Sequence, residues 1–272
     1  MTINCKGTLI DLTSPRVMGI LNVTPDSFFD GGKYKNEKEI LNQAEKMLNE
    51  GACFVDVGAY SSRPGAKHIS EEEELKRILP VIELLLKKFP DILLSVDSFR
   101  SRVVKESINA GAAIINDISG GKMDEHMFKT VAKLQVPYIM MHMQGTPQNM
   151  QQAPSYENVV TEVISFFAEQ LFKLRRLKVN DVLIDVGFGF GKTMNQNYEL
   201  LKHLSLFKSL EVPILTGVSR KSMLYKLLET TPQEALNATT VANSIALLNG
   251  THILRVHDVK EAVEAVKIVG QL

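Results

Sequence analysis

Eight short apolar runs rich in Val, Ile and Leu recur along the chain: RVMGILN, CFVDVG, ILLSVDS, AAIINDI, PYIMMHM, VLIDVG, PILTGVS and HILRVHD. Runs of this length without strict alternation read as strands buried on both faces. Longer amphipathic stretches separate them. In SEEEELKRILPVIELLLKKF, the residues Leu75, Ile78, Leu79, Ile82, Leu85 and Leu86 recur at helical spacing on one face, and Ser70 followed by Glu73 has capping-box spacing. Pro80 is expected to kink or split this helix. Further helices are predicted near residues 37–49, 101–110, 124–134, 156–178, 196–208, 232–249 and 259–269. Strand and helix alternating eight times in 272 residues fit an α/β fold of the (β/α)8 TIM-barrel type, a single domain over residues 1–272. An open doubly wound sheet is the structural competitor.

The runs share a second regularity. Nearly every one ends on a polar residue: Asn22, Asp56, Asp97, Asn116 with Asp117, His142, Asp185, then Ser219, Arg220 and Lys221, and finally Arg255 and His257. One such residue is readily explained as a helix cap. Eight together, several of them Lys, Arg or His, are not. In a closed barrel all strand C-termini meet on one face, so residues scattered through the sequence would share one pocket.

Composition narrows the class of protein. Lys plus Arg (31) equals Asp plus Glu (31), so no global field attracts nucleic acid or an anionic membrane, and any anion site must be local. The two cysteines, Cys5 and Cys53, exclude a disulfide framework. Neither a signal-peptide pattern nor a membrane-length apolar stretch is visible, so a cytoplasmic enzyme or binding protein is expected.

The loop DVGFGFGKT invites a nucleotide reading that its spacing rejects. A Walker A loop needs glycine where Val186 stands, and a dinucleotide fingerprint needs one at Lys192. Phe188 and Phe190 also add apolar surface that phosphate cannot use. They are candidates to wall a flat aromatic substrate, or alternatively to pack on a neighbouring helix.

The strand tips divide by charge. Lys221, Arg255 and His257, with Arg63 in SSRPG, form a basic group suited to phosphate, and Asn22 offers a neutral oxygen to Mg2+. Asp97, Asn116 and Asp185 form an acceptor group that is costly to bury unpaired; adjacent N–H donors on a planar ring edge would satisfy it. The histidines show no zinc-ligand spacing, and His142 is read as structural. Ser219 precedes a helix expected from Lys221 or Ser222, whose backbone N–H groups suit a carboxylate.

Taken in order, GILNVTPDSFFDGG, DVGAYSSRPGA, SVDSFR, INDISGG, MHMQGTP, DVGFGFGKT, GVSRKSML and RVHDV resemble the dihydropteroate synthase family over residues 18–259. The resemblance implies condensation of 6-hydroxymethyl-7,8-dihydropterin diphosphate with 4-aminobenzoate, giving 7,8-dihydropteroate and diphosphate for folate synthesis. It implies Asp97, Asn116 and Asp185 as acceptors for the pterin edge, Lys221 on the pterin carbonyl side and Met140 packed on the pterin. Asn22, Arg255 and His257 would serve the diphosphate and Mg2+. Ser62, Arg63, Pro64, Phe190 and Ser219 would surround 4-aminobenzoate. The implied path is S_N1-like: diphosphate departs, a positive pterin methylene forms, and the neutral aniline attacks. Asp97, Lys221, Arg255 and His257 are the catalytic candidates, and the loops at 24–31 and 61–65 resemble mobile ones that close over both substrates. The family is a sulfonamide target and usually a homodimer. Asp56 is expected to support the second loop.

The match has a departure. Where the family more often carries Glu-Ser-Thr-Arg-Pro-Gly, this chain has Tyr60, Ser61 and Ser62 before Arg63, which leaves open what holds that loop. Two other classes stay in view: a pterin-binding methyltransferase barrel, disfavoured by the basic group, and a catalytically silent barrel, disfavoured by the full set of charged tips.

Overall fold

The computed structural model describes residues 1–23, 33–61, 68–150 and 154–272, and of residues 33–36 only the backbone. The loop at 24–31, Ser62, Arg63 and Pro64 therefore lie outside the described residues.

Ten strands and nine α-helices run through the described residues. An antiparallel hairpin of β1 (Thr2–Cys5) and β2 (Thr8–Asp11) precedes a repeating unit of strand and helix. The unit begins with β3 (Arg16–Asn22) and α1 (Lys33–Asn49), then β4 (Phe54–Gly58) and α2 (Glu71–Lys88), β5 (Leu94–Asp97) and α3 (Ser101–Asn109). It continues through β6 (Ile114–Asp117) and α4 (Met127–Leu134), β7 (Tyr138–Met141) and α5 (Val159–Arg176), β8 (Val182–Asp185) and α6 (Met194–Lys202). The last turns are β9 (Ile214–Thr216) and α7 (Ser222–Tyr225), a further helix α8 (Leu236–Leu248), then β10 (Ile253–Val256) and α9 (Val259–Val269). Strands β3 to β10 are all parallel and close on themselves, β10 pairing with β3. This is the expected (β/α)8 barrel.

The helices form for identifiable reasons. Ser70 caps α2 by accepting from the Glu73 backbone N–H, whereas the Glu73 carboxylate turns to Arg77 at 2.7 Å and leaves the capping box half made. Pro80 neither ends nor splits α2, which runs on to Lys88 with Ile78, Val81, Ile82 and Leu85 buried on one face. Burial of that stripe outweighs the lost backbone hydrogen bond. Two long predicted helices break instead. The segment 196–208 becomes α6 and a 3-10 turn at Leu204–Leu210, and the segment 232–249 opens with a 3-10 turn at Pro232–Glu234. Helix α7 is a single turn.

Inside the barrel, strand alternation builds two layers. The lower layer is apolar: Met18, Phe54, Ile114, Ile139, Leu183, Leu215 and Ile253. The hairpin, which the hydrophobic pattern did not reveal, closes this end by packing Ile3, Cys5 and Leu12 onto it. A hydrogen bond from Asn4 N to Asp181 Oδ2 (2.9 Å) fastens the hairpin to the start of β8. Strand neighbours two residues on point into the upper layer, where most of the polar strand tips lie. No helix among the described residues is long and apolar enough to cross a membrane.

Ile3 is 1% exposed in the lower layer. We expect Ile3→Ala to cost about 2–4 kcal/mol, read as a lower urea midpoint, because the barrel floor cannot collapse around the gap.

Candidate active site

The upper layer gathers the polar strand tips around one mouth. Asp56 of β4, Asn116 of β6, Met141 of β7, Asp185 of β8 and Arg255 of β10 each stand two residues beyond a lower-layer residue, and Asp97 of β5 stands four beyond Leu93, which packs against that layer; all face inward. Arg255 ties three strands together: its Nε donates to Asp56 Oδ2 at 2.7 Å and its Nη2 to Asp97 Oδ2 at 2.9 Å. Asn116 Nδ2 donates to the same Asp56 oxygen at 2.9 Å, which fixes the amide and leaves its carbonyl oxygen as the acceptor on offer. The other Asp56 oxygen, buried, has no hydrogen-bond partner among the described residues. Gly58 makes room for this cluster, since a Cβ there would come within 3.2 Å of the Asp97 Cβ.

Burial governs the charges. It pushes the Asp97 carboxyl well above its usual range; Arg255 opposes that shift and Asp56 adds to it. Asp185 is raised by burial too, against the pull of Lys221. Burial lowers Lys221 to about 8, partly countered by Asp185. For Arg255, burial works against the charge, but Asp56 and Asp97 more than offset it.

Lys221 joins the mouth from the loop after β9. Its Nζ donates to the Phe188 carbonyl at 2.5 Å and lies 4.9 Å from the Phe190 ring centroid. Asp185 Oδ1 meanwhile accepts from Gly187 N at 2.8 Å. At the rim, Ser219 Oγ sits 3.0 Å from His257 Nδ1 and accepts from His257 N at 3.2 Å. Asn22 ends β3 beside Gly58, half-buried. An apolar wall of Tyr60, Phe99, Ile118, Met141, Met143 and Met150 lines the same end, with Phe190 and Met123 packed against it.

Several expectations change. The charges do not divide into an acidic and a separate basic group, because Arg255 is bound between Asp56 and Asp97. Asp56 is the centre of the buried cluster, shared by Asn116 and Arg255. Met140 points away from the mouth, into the layer between strands and helices, where it would touch a Cβ placed on Gly120 at 3.3 Å. Strand alternation gives its place to Met141. Phe188 is fully buried in the outer core, so of the two loop phenylalanines Phe190 alone reaches the wall. Arg220, at φ +54°, is structural: it clamps Asp258 through two hydrogen bonds of 2.8 Å and the carbonyls of Pro232 and Gln233.

The lysine of the glycine-rich loop also finds its role. Lys192, 3% exposed, points inward to the carbonyls of His142, Gly187 and Phe190 at 3.0–3.2 Å and to His142 Nδ1 at 3.0 Å. It pins the loop from beneath, and no phosphate is involved. Gly187 is obligatory there: its φ is +70°, and a Cβ would lie 2.0 Å from the His142 carbonyl. Burial and the neighbouring lysines push His142 down to about 2, so it is neutral and structural.

Residues 18–257 match the model of the pterin binding enzyme family. Escherichia coli dihydropteroate synthase is 44% identical over 99% of this chain and 95% of its own length, and the Haemophilus influenzae dihydropteroate synthase is 40% identical over 98% of both. A crystal structure of Yersinia pestis dihydropteroate synthase with a sulfonamide drug superposes with a TM-score of 0.93 at 45% identity, over 100% of this chain and 98% of that one. The Xanthomonas albilineans dihydropteroate synthase with 4-aminobenzoic acid superposes with a TM-score of 0.92 at 38% identity, over 99% and 97%. The chain belongs to the pterin-binding enzymes, and within them to the dihydropteroate synthase family.

Replacing Lys192 with methionine strands three buried carbonyls. We expect Lys192→Met to lower stability by at least about 2 kcal/mol in a denaturant titration. It should also impair turnover, because Gly187 and Phe188, which that lysine helps to place, contact Asp185 and Lys221.

Proposed function

We infer that this chain condenses 6-hydroxymethyl-7,8-dihydropterin diphosphate with 4-aminobenzoate to give 7,8-dihydropteroate and diphosphate. It is a transferase of folate biosynthesis. The observation that carries this reading is the single mouth in which Asp97, Asn116 and Asp185 present acceptors beside the cations of Lys221 and Arg255, against an apolar wall ending in Phe190.

The chemistry follows from the residues. The N–H donors of the pterin ring edge meet Asp97, the Asn116 carbonyl oxygen and Asp185, repaying burial of groups that have few other donors. Lys221 points its ammonium at the ring carbonyl, and Met141 packs on the ring face. Departure of diphosphate leaves a positive methylene, which the Asp97 carboxylate stabilises electrostatically in a dry site. Arg255 keeps Asp97 and Asp56 oriented and adds positive potential for the leaving group, with His257 and Ser219 at the rim. The neutral aniline attacks without prior loss of a proton. Ser62, Arg63 and Pro64 border the 4-aminobenzoate along with Phe190 and Ser219.

Asn22 fits Mg2+ as a lone protein ligand. Its half-buried carboxamide ends an inward-facing strand, and no cluster of three His, Cys, Asp or Glu among the described residues forms a rival cage. Bound there with the substrate phosphates and water, Mg2+ would neutralise charge on the diphosphate.

The same reading includes a homodimer. Val241, Ile245 and Leu248 form a stripe at helical spacing on α8, 53%, 39% and 60% exposed, and Ile268 on the neighbouring α9 is 69% exposed. Two unpaired cysteines, Cys5 and Cys53, accord with a reducing compartment such as the cytoplasm.

Diphosphate release should require both substrates, and Lys221→Ala and Arg255→Ala should each reduce kcat by about 10²-fold or more while circular dichroism shows a folded barrel. Full activity in both variants refutes the site. The wild-type rate should fall as pH rises past about 8, where the Lys221 ammonium loses its proton, and this limb should move upward in Lys221→Arg. Separately, Ile245→Asp should halve the mass seen by analytical ultracentrifugation.

A further inference from the structure

An asparagine carboxamide is nearly symmetric in shape, and a half-turn about its last single bond exchanges an acceptor for a donor. Asn116, near the end of β6 and 4% exposed, therefore has two faces that it could show to a ligand. Asp56 on β4 selects between them, because its Oδ2 accepts from Asn116 Nδ2 at 2.9 Å. The half-turned amide would set two acceptor oxygens face to face in a buried place.

Asp56 is itself held. The same Oδ2 takes the Arg255 Nε proton at 2.7 Å, and that guanidinium reaches on to Asp97 Oδ2 at 2.9 Å. The Asp56 side chain has no exposed surface, so it lies behind Asn116 and Arg255 and makes no contact with what enters the mouth. Its Oδ1 has no partner among the described residues. Ser95 stands opposite Asp56 in the β4–β5 register and shares its inward face, and the buried Ser95 hydroxyl is likewise unpartnered among those residues. Burying a carboxylate with one oxygen idle costs stability. What the arrangement secures is two neighbours at the mouth, Asn116 and Arg255, each held in a single orientation.

We propose that Asp56 is a positioning residue that sets the choice of ring without touching it. By holding the Asn116 nitrogen it obliges this position to accept. The mouth then takes a ring that presents an amino group there and rejects one that presents a carbonyl. This deepens the condensation proposed above and rests on it. A carbonyl brought against the fixed Asn116 oxygen leaves both without a donor, which penalises the wrong ring more than a missing contact would. Once the amide is free to turn, the carboxamide can donate instead and the penalty fades.

The test compares two substrates, the pterin diphosphate and its 2-oxo counterpart, in which a carbonyl replaces the exocyclic amino group. Each is supplied with 4-aminobenzoate, and diphosphate release is the readout. Asp56→Leu keeps the bulk and removes the acceptor. Its kcat/KM for the pterin diphosphate should fall about 10²-fold or more and that for the 2-oxo ring much less, so the preference between rings shrinks at least about tenfold. Asp56→Asn can keep an oxygen where Oδ2 stands and turn its amide toward the Ser95 side. It should hold the wild-type preference within about threefold, even as the lost charge slows both rings. Equal losses on both rings in Asp56→Leu mark general loosening and overturn the proposal, as does a collapsed preference in Asp56→Asn. If Asp56→Leu does not fold, a neutron crystal structure of the deuterated wild-type protein decides, since it separates amide deuterons from oxygen. Deuterons on the Asn116 atom facing Asp56 are expected, and deuterons on the atom facing the mouth overturn the proposal. Wild-type protein that releases no diphosphate from the two substrates overturns the condensation itself, a result distinct from all of these.

Discussion

The guanidinium of Arg255 inside the barrel is the interaction on which the site depends. Two carboxylates, Asp56 and Asp97, come from adjacent strands and face the same interior, where like charges repel and water is scarce. A planar cation between them converts that repulsion into a bridge across three strands. It also sets the acceptor pattern: with Asp56 committed to Arg255 and Asn116, the Asn116 amide can turn one way only. The same interaction explains why the charges of the mouth cannot be sorted into an acidic and a basic half.

Much of this was legible in the sequence. Strand order, the polar tips and their convergence follow from apolar runs that each end on a polar residue, because a parallel barrel sends every strand terminus to one face. What the sequence hid depends on which way single side chains point. Met140 and Met141 are adjacent and chemically identical, so only strand register decides that Met141 faces inward. Phe188 and Phe190 present the same ambiguity in a loop, where no periodicity applies. Asp56 was underrated because its partners, Asn116 and Arg255, lie 60 and 199 residues away.

The N-terminal hairpin escaped for another reason. Its strands, Thr2–Cys5 and Thr8–Asp11, are four residues each, below the length at which alternation is convincing. The Lys6–Gly7 turn, with both residues at positive φ, was the available signal. Lys192 shows the opposite hazard: a familiar Gly-Lys-Thr string whose lysine turned out to bind loop carbonyls.

The sealed floor carries a consequence of its own. With Ile3, Cys5 and Leu12 stacked on the lower apolar layer, the barrel is stoppered at the end away from the polar tips. The floor therefore supplies rigidity without chemistry, and substitutions there should be felt as lost stability, whereas those at the opposite face alter reactivity.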